Sequence, residues 1–505
     1  MFSSFCFVLE LEKMKSRKSL LNIVLFVLIT VLLCIFFSYK LTSIPDGITG
    51  DEAAFGYNGI LLSRTLHDEN GRKLPIFVLS LDGKDWRQPV TQYFITAYFK
   101  VFGPSLFNLR FTSVIIEIAS IWLIYFLGRK LFDSNLGGII AGVFLATIPI
   151  FMIQSHLGLD NIYPVIFTIC WLIGLYQYKK TGKNVWLVFS GISLGVGLYA
   201  YKAMRIFVPV WFVLSIFYIG EEFLKKRSKG IFKKVLKPIL FFSLSILPFF
   251  AIIPHLELLY AGAVLNNEKF IFPGIYNFFY PYLSIFDPSF LFIKGDDILT
   301  HSTGIHGMYL LASLPFFIIG TVGSWKKSSF WKLIIISFFV GPIMFGFMGS
   351  VHRASRLLAM IPLFSLISAS GFLTLWKNKS KYLVLALSII FLINYFSFLN
   401  YYFNQYAGAT KNLFNDFSTK ELAYKILKDE VLKDGRTAFI DKVVVDREEA
   451  TDLFAKSIYF EYPINLWSGD IKTLSQDAVL MTDNDNLSAM KKVGNTGNYY
   501  FYINE

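Results

Sequence analysis

Charge is scarce in this chain: Asp, Glu, Lys and Arg make up only 16% of its 505 residues, against about 25% in soluble domains. Cysteine is scarcer still. Of the three present, Cys34 and Cys170 lie inside apolar runs and Cys6 precedes the first of them. No pair has the spacing of metal ligands and the regions that read as external hold none, which excludes a disulfide framework and a thiolate zinc site. There is no internal repeat. The formal net charge of +13 is not gathered on one soluble stretch, so nucleic acid is excluded as a partner. What is abundant is apolar: 54% of the chain is hydrophobic, too large an excess for a soluble core.

That excess is segmented. Runs of about 20 apolar residues, the length that crosses about 30 Å of hydrocarbon, alternate with short basic clusters. Lys13, Lys15, Arg17 and Lys18 precede the apolar run 20–37. This run is longer than a signal-peptide core and no small-residue cleavage site succeeds it, so it reads as a retained first span, with Met14 as an alternative start. Placing the basic clusters on the cytoplasmic side gives about 11 spans. They fall near residues 20–39, 109–128, 136–153, 161–178, 185–200, 206–220, 238–254, 307–323, 333–349, 357–375 and 382–402. The segment 89–103, PVTQYFITAYFKVFG, would invert everything downstream if it crossed. The positive-inside rule favours a helix on the outer interface, the alternative being a full span offset by a further span elsewhere.

The expected fold is therefore a polytopic α-helical protein of the cell membrane, with its N-terminus cytoplasmic. Residues 1–404 form the transmembrane domain, with long outer loops at 40–108 and 255–305. Residues 405–505 form a small extracytoplasmic α/β domain. In this tail, 419–434 has helical spacing of apolar positions, whereas TAFI, KVVV, AVLMT and YYFYI have strand character. It is short of apolar residues and reads as a packing or partner-contact unit.

On this topology the boundary charges fall on one side of the membrane. The first loop carries Asp46, Asp51, Glu52, Asp82, Asp85, Arg87 and Gln88. Later outer turns carry His156 and Asp160, then Lys202 and Arg205, then His301 and His306, then His352, Arg353 and Arg356. Ionisable groups at this depth are costly unless paired or used, and five such turns describe one polar site roofed by the first loop. Carboxylates can take a proton from a hydroxyl or hold a metal ion. Arg and Lys can hold a phosphate, and a groove between spans can hold a lipid tail. Together they suit group transfer from a lipid phosphate, whose departure needs charge stabilisation more than protonation. Plainer roles exist for each. Thr49 or Asp51 can cap a helix, as can Asp160. Lys202 and Arg205 can snorkel to headgroups. His301 and His306 are five apart, which is not a clean metal spacing.

Several segments resemble a known family. They are GDEAAFGYNG in the first loop, RQPVTQYFITAYFKVFG, HLGLDNIYPVIF, LGVGLYAYKAMRIFVP and HRASRLLAMIPLFSLISASGF. In this order they resemble the membrane glycosyltransferases of the GT-C fold, in the group that contains protein O-mannosyltransferases and lipid A aminoarabinose transferases. The similarity covers about residues 20–375. It implies a polyprenyl-phosphate-linked sugar as donor and a hydroxyl acceptor. It also implies Asp51 as general base with Glu52 in support, Asp160 as a second acidic position, and Arg205, Arg353 and Arg356 near the donor phosphate; Lys202 and His352 are further candidates there by charge and place. Asp85, Arg87, Gln88 and His156 are further loop residues of this site. The chain departs from the family at Arg87-Gln88-Pro89, where the aminoarabinose transferases have a metal-binding Glu followed by Lys. No cofactor is assigned; a divalent metal would have to use Glu52, His301 or His306. The competing reading is a lipid-linked sugar flippase or transporter, but such proteins tend to show repeated halves and midplane charges.

Overall fold

The computed structural model describes residues 17–81, 83–221, 229–265, 271–349, 353–378, 381–446, 449–461 and 464–504. The chain begins with α1 (Arg17–Phe37) and α2 (Gly50–Thr65), followed by a short hairpin of β1 (Val78–Ser80) and β2 (Asp85–Arg87). Next come α3 (Pro89–Phe102), α4 (Leu106–Phe132), α5 (Asn135–Ala146), α6 (Pro149–Ser155), α7 (Pro164–Thr181), α8 (Val185–Gly197) and α9 (Met204–Ile219). After these come α10 (Lys229–Ala251), α11 (Ile253–Leu259), α12 (Ile275–Ser284), α13 (Leu314–Ser324), α14 (Ser329–Val340), α15 (Ile361–Lys377) and α16 (Lys381–Tyr401). Among the described residues five helices are long and apolar enough to cross a membrane, or six if α5 and α6 count as one bent span. Shorter apolar helices at Leu21–Phe37, Val185–Gly197, Met204–Ile219 and Leu311–Ser324 accompany them. The protein is a multi-pass membrane protein.

One expectation changes. The span expected at 136–153 is broken: Pro149 cannot continue the ladder of α5, and α6 leaves at 67°. The span expected at 333–349 is present as the apolar run Ser329–Met348, which tightens into a 3-10 turn at Gly341–Met344. By contrast, α3 is a helix of 14 residues, about 21 Å long and too short to cross.

The basic helix ends lie side by side. The Tyr176 hydroxyl in α7 donates to the Lys130 carbonyl at the end of α4 (2.7 Å). Phe132 packs against Trp331 of α14, and Lys327 lies over the Trp331 ring. The polar loops occupy the other end of the bundle. Between the ends, α13 and α15 touch backbone to backbone. A Cβ at Gly320 would sit 1.8 Å from the Ile367 carbonyl oxygen, and one at Gly371 would sit 1.8 Å from that of Phe316. Small residues allow this approach where lipid offers no hydrophobic drive, and a Ser324–Ser370 hydroxyl bond of 2.5 Å secures it.

The tail combines helices with a five-stranded sheet, with one local change from its strand pattern. α17 (Ser418–Asp434) precedes β3 (Ala438–Asp441), but KVVV forms a short helix, α18 (Lys442–Asp446), instead of a strand. Its valines come directly after β3, and the Asp441 carboxylate accepts the Val443 N–H (3.1 Å), turning the chain out of the sheet. Then come α19 (Glu449–Tyr459), β4 (Asn465–Trp467), β5 (Val479–Thr482), β6 (Lys491–Thr496) and β7 (Tyr499–Ile503). The sheet order is β4-β3-β5-β7-β6; β3 runs parallel to β4 and β5, and β7 antiparallel to β5 and β6. This unit is joined to the first loop. Ile48 and Asn415 exchange both backbone hydrogen bonds (2.9 and 2.8 Å). Phe55 and Ile60 of α2 share one apolar cluster with Phe417, Tyr424 and Phe454.

Replacing Gly320 by Ala inserts a methyl where a carbonyl stands, and overpacking of this kind costs about 1–3 kcal/mol. The expected result is a lower thermal midpoint and lower yield of folded protein. Gly323→Ala is the control, since its Cβ would meet Thr374 at an ordinary 3.7 Å; equal behaviour of the two variants would refute the close-packing account.

Candidate active site

The site begins at the first turn of α2. Thr49 is its N-cap: the Thr49 hydroxyl accepts the Glu52 N–H (3.1 Å) and the Glu52 carboxylate accepts the Thr49 N–H (3.4 Å), a capping box. Capping therefore falls to Thr49 and Glu52. With Glu52 turned inward, Asp51 points outward, its side chain 54% exposed. Glu52 itself is fully buried. Its Oε1 accepts from Arg110 Nε (2.8 Å) and from the Gly158 N–H (2.9 Å), and its Oε2 from Arg110 Nη2 (3.3 Å). Arg110 directs its remaining donors to the carbonyls of Leu41 (2.9 Å), Pro45 (3.1 Å) and Gly47 (2.5 Å). Glu52 is thus not available as a catalytic carboxylate or a metal ligand; its lone pairs already hold the scaffold together. His156 also differs from expectation. It is buried behind this pair, its Nδ1 on the Ile44 carbonyl (3.1 Å) and its ring against Tyr402.

The β1–β2 hairpin delivers the next group. Arg87, only 3% exposed, bonds Asp51 Oδ1 (2.8 Å), reaches Asp85 Oδ2 (3.5 Å) and donates through Nε to Ser80 Oγ (2.6 Å). Its guanidinium also lies 5.1 Å from the centre of the Phe55 ring, one turn along α2. Lys202 pairs with the other oxygen of Asp85. Arg205 donates to Gln88 Oε1, to the Val264 carbonyl (2.6 Å) and to the Leu198 carbonyl (3.4 Å). Lys202 and Arg205 are therefore turned into the site and do not snorkel. Glu257 shapes the loop that receives Arg205 by accepting the N–H groups of Gly262, Val264 and Leu265.

Asp160 opens a 3-10 turn, Asp160–Ile162, and the cap position of α7 is Tyr163, so Asp160 is not its N-cap. Burial pushes its carboxyl up to about 7; Arg87 and Lys202 oppose this, while Asp51 and Asp85 add to it. These five residues are one electrostatic unit. On the far side stand Arg353 and Arg356. Asp296 anchors them, one oxygen on the Ile298 N–H (2.9 Å) and the other on the Ala354 N–H (2.7 Å). Tyr201 lies between the two sides, near Ser355 and within electrostatic reach of Asp160, Asp51 and Arg356. His301 faces the same arginines. His306 does not: its ring nitrogens meet Thr303 (3.0 Å) and Ser397 (3.4 Å), away from His301. His352 and Asp82 lie outside the described residues.

A metal fits this donor set poorly. Among the described residues no three His, Cys, Asp or Glu side chains converge to hold one. Between Asp51 and Asp85, where a cation would bridge two carboxylates, the Arg87 guanidinium already stands.

Comparisons with known proteins bear on this geometry in two ways. Residues 87–256 match the family model of dolichyl-phosphate-mannose-protein mannosyltransferase. The structure is similar to crystal structures of ArnT from Cupriavidus metallidurans. The apo state is 11% identical, with a TM-score of 0.56, over 96% of this chain and 98% of that one. The same protein bound to undecaprenyl phosphate is 9% identical, with a TM-score of 0.56, over 95% and 98%. The likeness shows a shared fold. No curated protein matches it in sequence. The family match takes in Arg87, Gln88, Asp160, Lys202 and Arg205 and leaves Asp51, Arg353 and Arg356 outside.

Sequence reasoning missed Arg110, Asp296 and Glu257 in this site. Arg110 had a readable signal, an arginine near the start of an apolar span of about 20 residues. Asp296 and Glu257 act on backbone N–H groups, for which no sequence signal exists.

Arg110→Met strands the Glu52 charge in the interior and should cost about 3–5 kcal/mol; adding Glu52→Gln should recover part of the lost thermal midpoint. An unaltered midpoint in Arg110→Met would remove the pair from the scaffold. Asp160 holds its proton in the fold to about pH 7, whereas an unfolded aspartate ionises near pH 4. The folded chain thus binds more protons in this window, and stability falls as pH rises through it. Asp160→Asn should flatten the drop in thermal midpoint between pH 5 and pH 8, and an unchanged drop would contradict this.

Proposed function

We propose that this chain transfers a sugar from a polyprenyl-phosphate-linked donor to a hydroxyl acceptor, at the membrane face where the first loop lies. The observation that carries the reading is the convergence of Asp51 and Asp160 with Arg87, Lys202, Arg205, Arg353 and Arg356 at one end of the bundle. The structural likeness to ArnT bound to undecaprenyl phosphate and the mannosyltransferase match support the lipid phosphate and the sugar.

In this mechanism the acceptor oxygen attacks the anomeric carbon, and the bond from that carbon to the phosphate oxygen breaks. The electron pair leaves with the polyprenyl phosphate. Asp51 is the base: it is exposed to an incoming hydroxyl, and Arg87 fixes its orientation while its second oxygen is left to take the proton. Asp160, tuned near neutrality, sits behind it as a second carboxyl. Lys202, Arg205, Arg353 and Arg356 stabilise the charge that develops on the departing phosphate. Arg87 supplies the cation between Asp51 and Asp85, so no step is routed through a metal.

Asp51→Asn should lower transfer from a polyprenyl-phosphate-linked sugar by about 10²–10⁴-fold in purified, folded protein; full activity would remove Asp51 from the mechanism. The orientation, with the polar end and the C-terminal unit outside and the basic helix ends in the cytoplasm, is part of the proposal and obeys the positive-inside rule. Single cysteines at the exposed positions Gly83 and Asn486 should both react with an impermeant reagent from the outer side. Reaction only from the cytoplasm would overturn it.

A further inference from the structure

His301 has a hydrogen-bond setting that neither a metal ligand nor a buried structural histidine requires. Its Nδ1 lies 3.2 Å from Gln154 Nε2. The direction of that bond is set by the surrounding groups. Gln154 Nε2 also faces the Thr300 carbonyl (3.4 Å), which can only accept, so this end of the amide is the NH2. The other end, Gln154 Oε1, accepts from Asn161 Nδ2 (2.8 Å). An amide that donates toward His301 needs a lone pair on Nδ1. A proton there would set two donors against each other at 3.2 Å. The Thr300 carbonyl also faces the ring, but with the amide donating to Nδ1 the ring proton is assigned to Nε2.

Nε2 is the edge turned away from Gln154, and the ring is partly exposed. His301 lies five residues after Asp296, whose carboxylate takes the Ala354 N–H beside Arg353, so loop 296–303 and the arginine segment form one wall. Asn161, at the other end of the relay, is the neighbour of Asp160 in the same 3-10 turn.

We propose that the Asn161–Gln154–His301 relay fixes His301 as a neutral Nε2–H donor to the donor's phosphate group, beside Arg353 and Arg356. This rests on the sugar-transfer reading above and names one phosphate-binding residue within it. Burial and the two arginines hold the imidazole pKa down to about 4, in keeping with a neutral ring. A neutral donor adds a hydrogen bond to the phosphate without a third positive charge against the two arginines. Gln154 and Asn161 are positioning residues.

Two measurements on the full-length protein test this. The first is ¹⁵N NMR of histidine-labelled protein without ligand, with the His301 signals assigned by their loss in His301→Leu. The Nε2-protonated tautomer is expected; an Nδ1-protonated or doubly protonated ring would overturn the proposal. The second is binding of undecaprenyl phosphate in detergent micelles. His301→Leu should weaken it by about 10- to 100-fold, the range of one hydrogen bond to a charged group. His301→Gln, whose amide N–H reaches the same place, should retain most of it. Unweakened binding in folded His301→Leu overturns the inference alone. A native protein that binds no undecaprenyl phosphate overturns the sugar-transfer reading together with it.

Discussion

The Glu52–Arg110 pair is the interaction on which the rest of the site depends. Both side chains are fully buried. Arg110 makes two bonds to the Glu52 carboxylate and three to carbonyls of the segment between α1 and α2. A buried ion pair contributes little net stability, but removing one partner is severe. Its value here is positional. One carboxylate caps α2, grips α4 through Arg110 and holds the Gly158 N–H in the loop that carries Asp160. The separation of Asp51 and Asp160 is therefore set by the buried Glu52 carboxylate.

Around this anchor, cations and carboxylates alternate: Asp51, Arg87, Asp85 and Lys202 form one chain of contacts. Such interleaving keeps a charged cluster tolerable at the edge of a low-dielectric bundle. Asp160 stands among these charges, partly buried, and burial raises its carboxyl pKa more than Arg87 and Lys202 lower it. The wall opposite is held in another way, by Asp296 capturing the Ala354 N–H, so Arg353 and Arg356 are aimed by the main chain.

Much of the fold was legible, for identifiable reasons. A bilayer imposes a length on apolar runs, so α4, α9, α15 and α16 lie where hydropathy places them, within a few residues. The break between α5 and α6 was missed because apolar composition continues across it and only Pro149 marks the kink. KVVV misled because β-branched propensity is a weak preference, and the Asp441 carboxylate turns the chain out of the sheet as soon as β3 ends. In the site, Asp51, Asp85, Arg87, Asp160, Lys202 and Arg205 do come together. Glu52, His156 and His306 were drawn in by residue type, which does not report which way a side chain points.

By itself the sequence determined the solvent and which charges gather at each end of the helices. Apolar length put the chain in a membrane, basic clusters marked one end of the helices, and the remaining charges were confined to the other. Tertiary structure alone decided the roles. Asp51 and Glu52 are adjacent and chemically alike, yet the turn of about 100° between neighbours on a helix sends one into the site and the other into the core. Only the position of Arg110, in another helix, determines which is which.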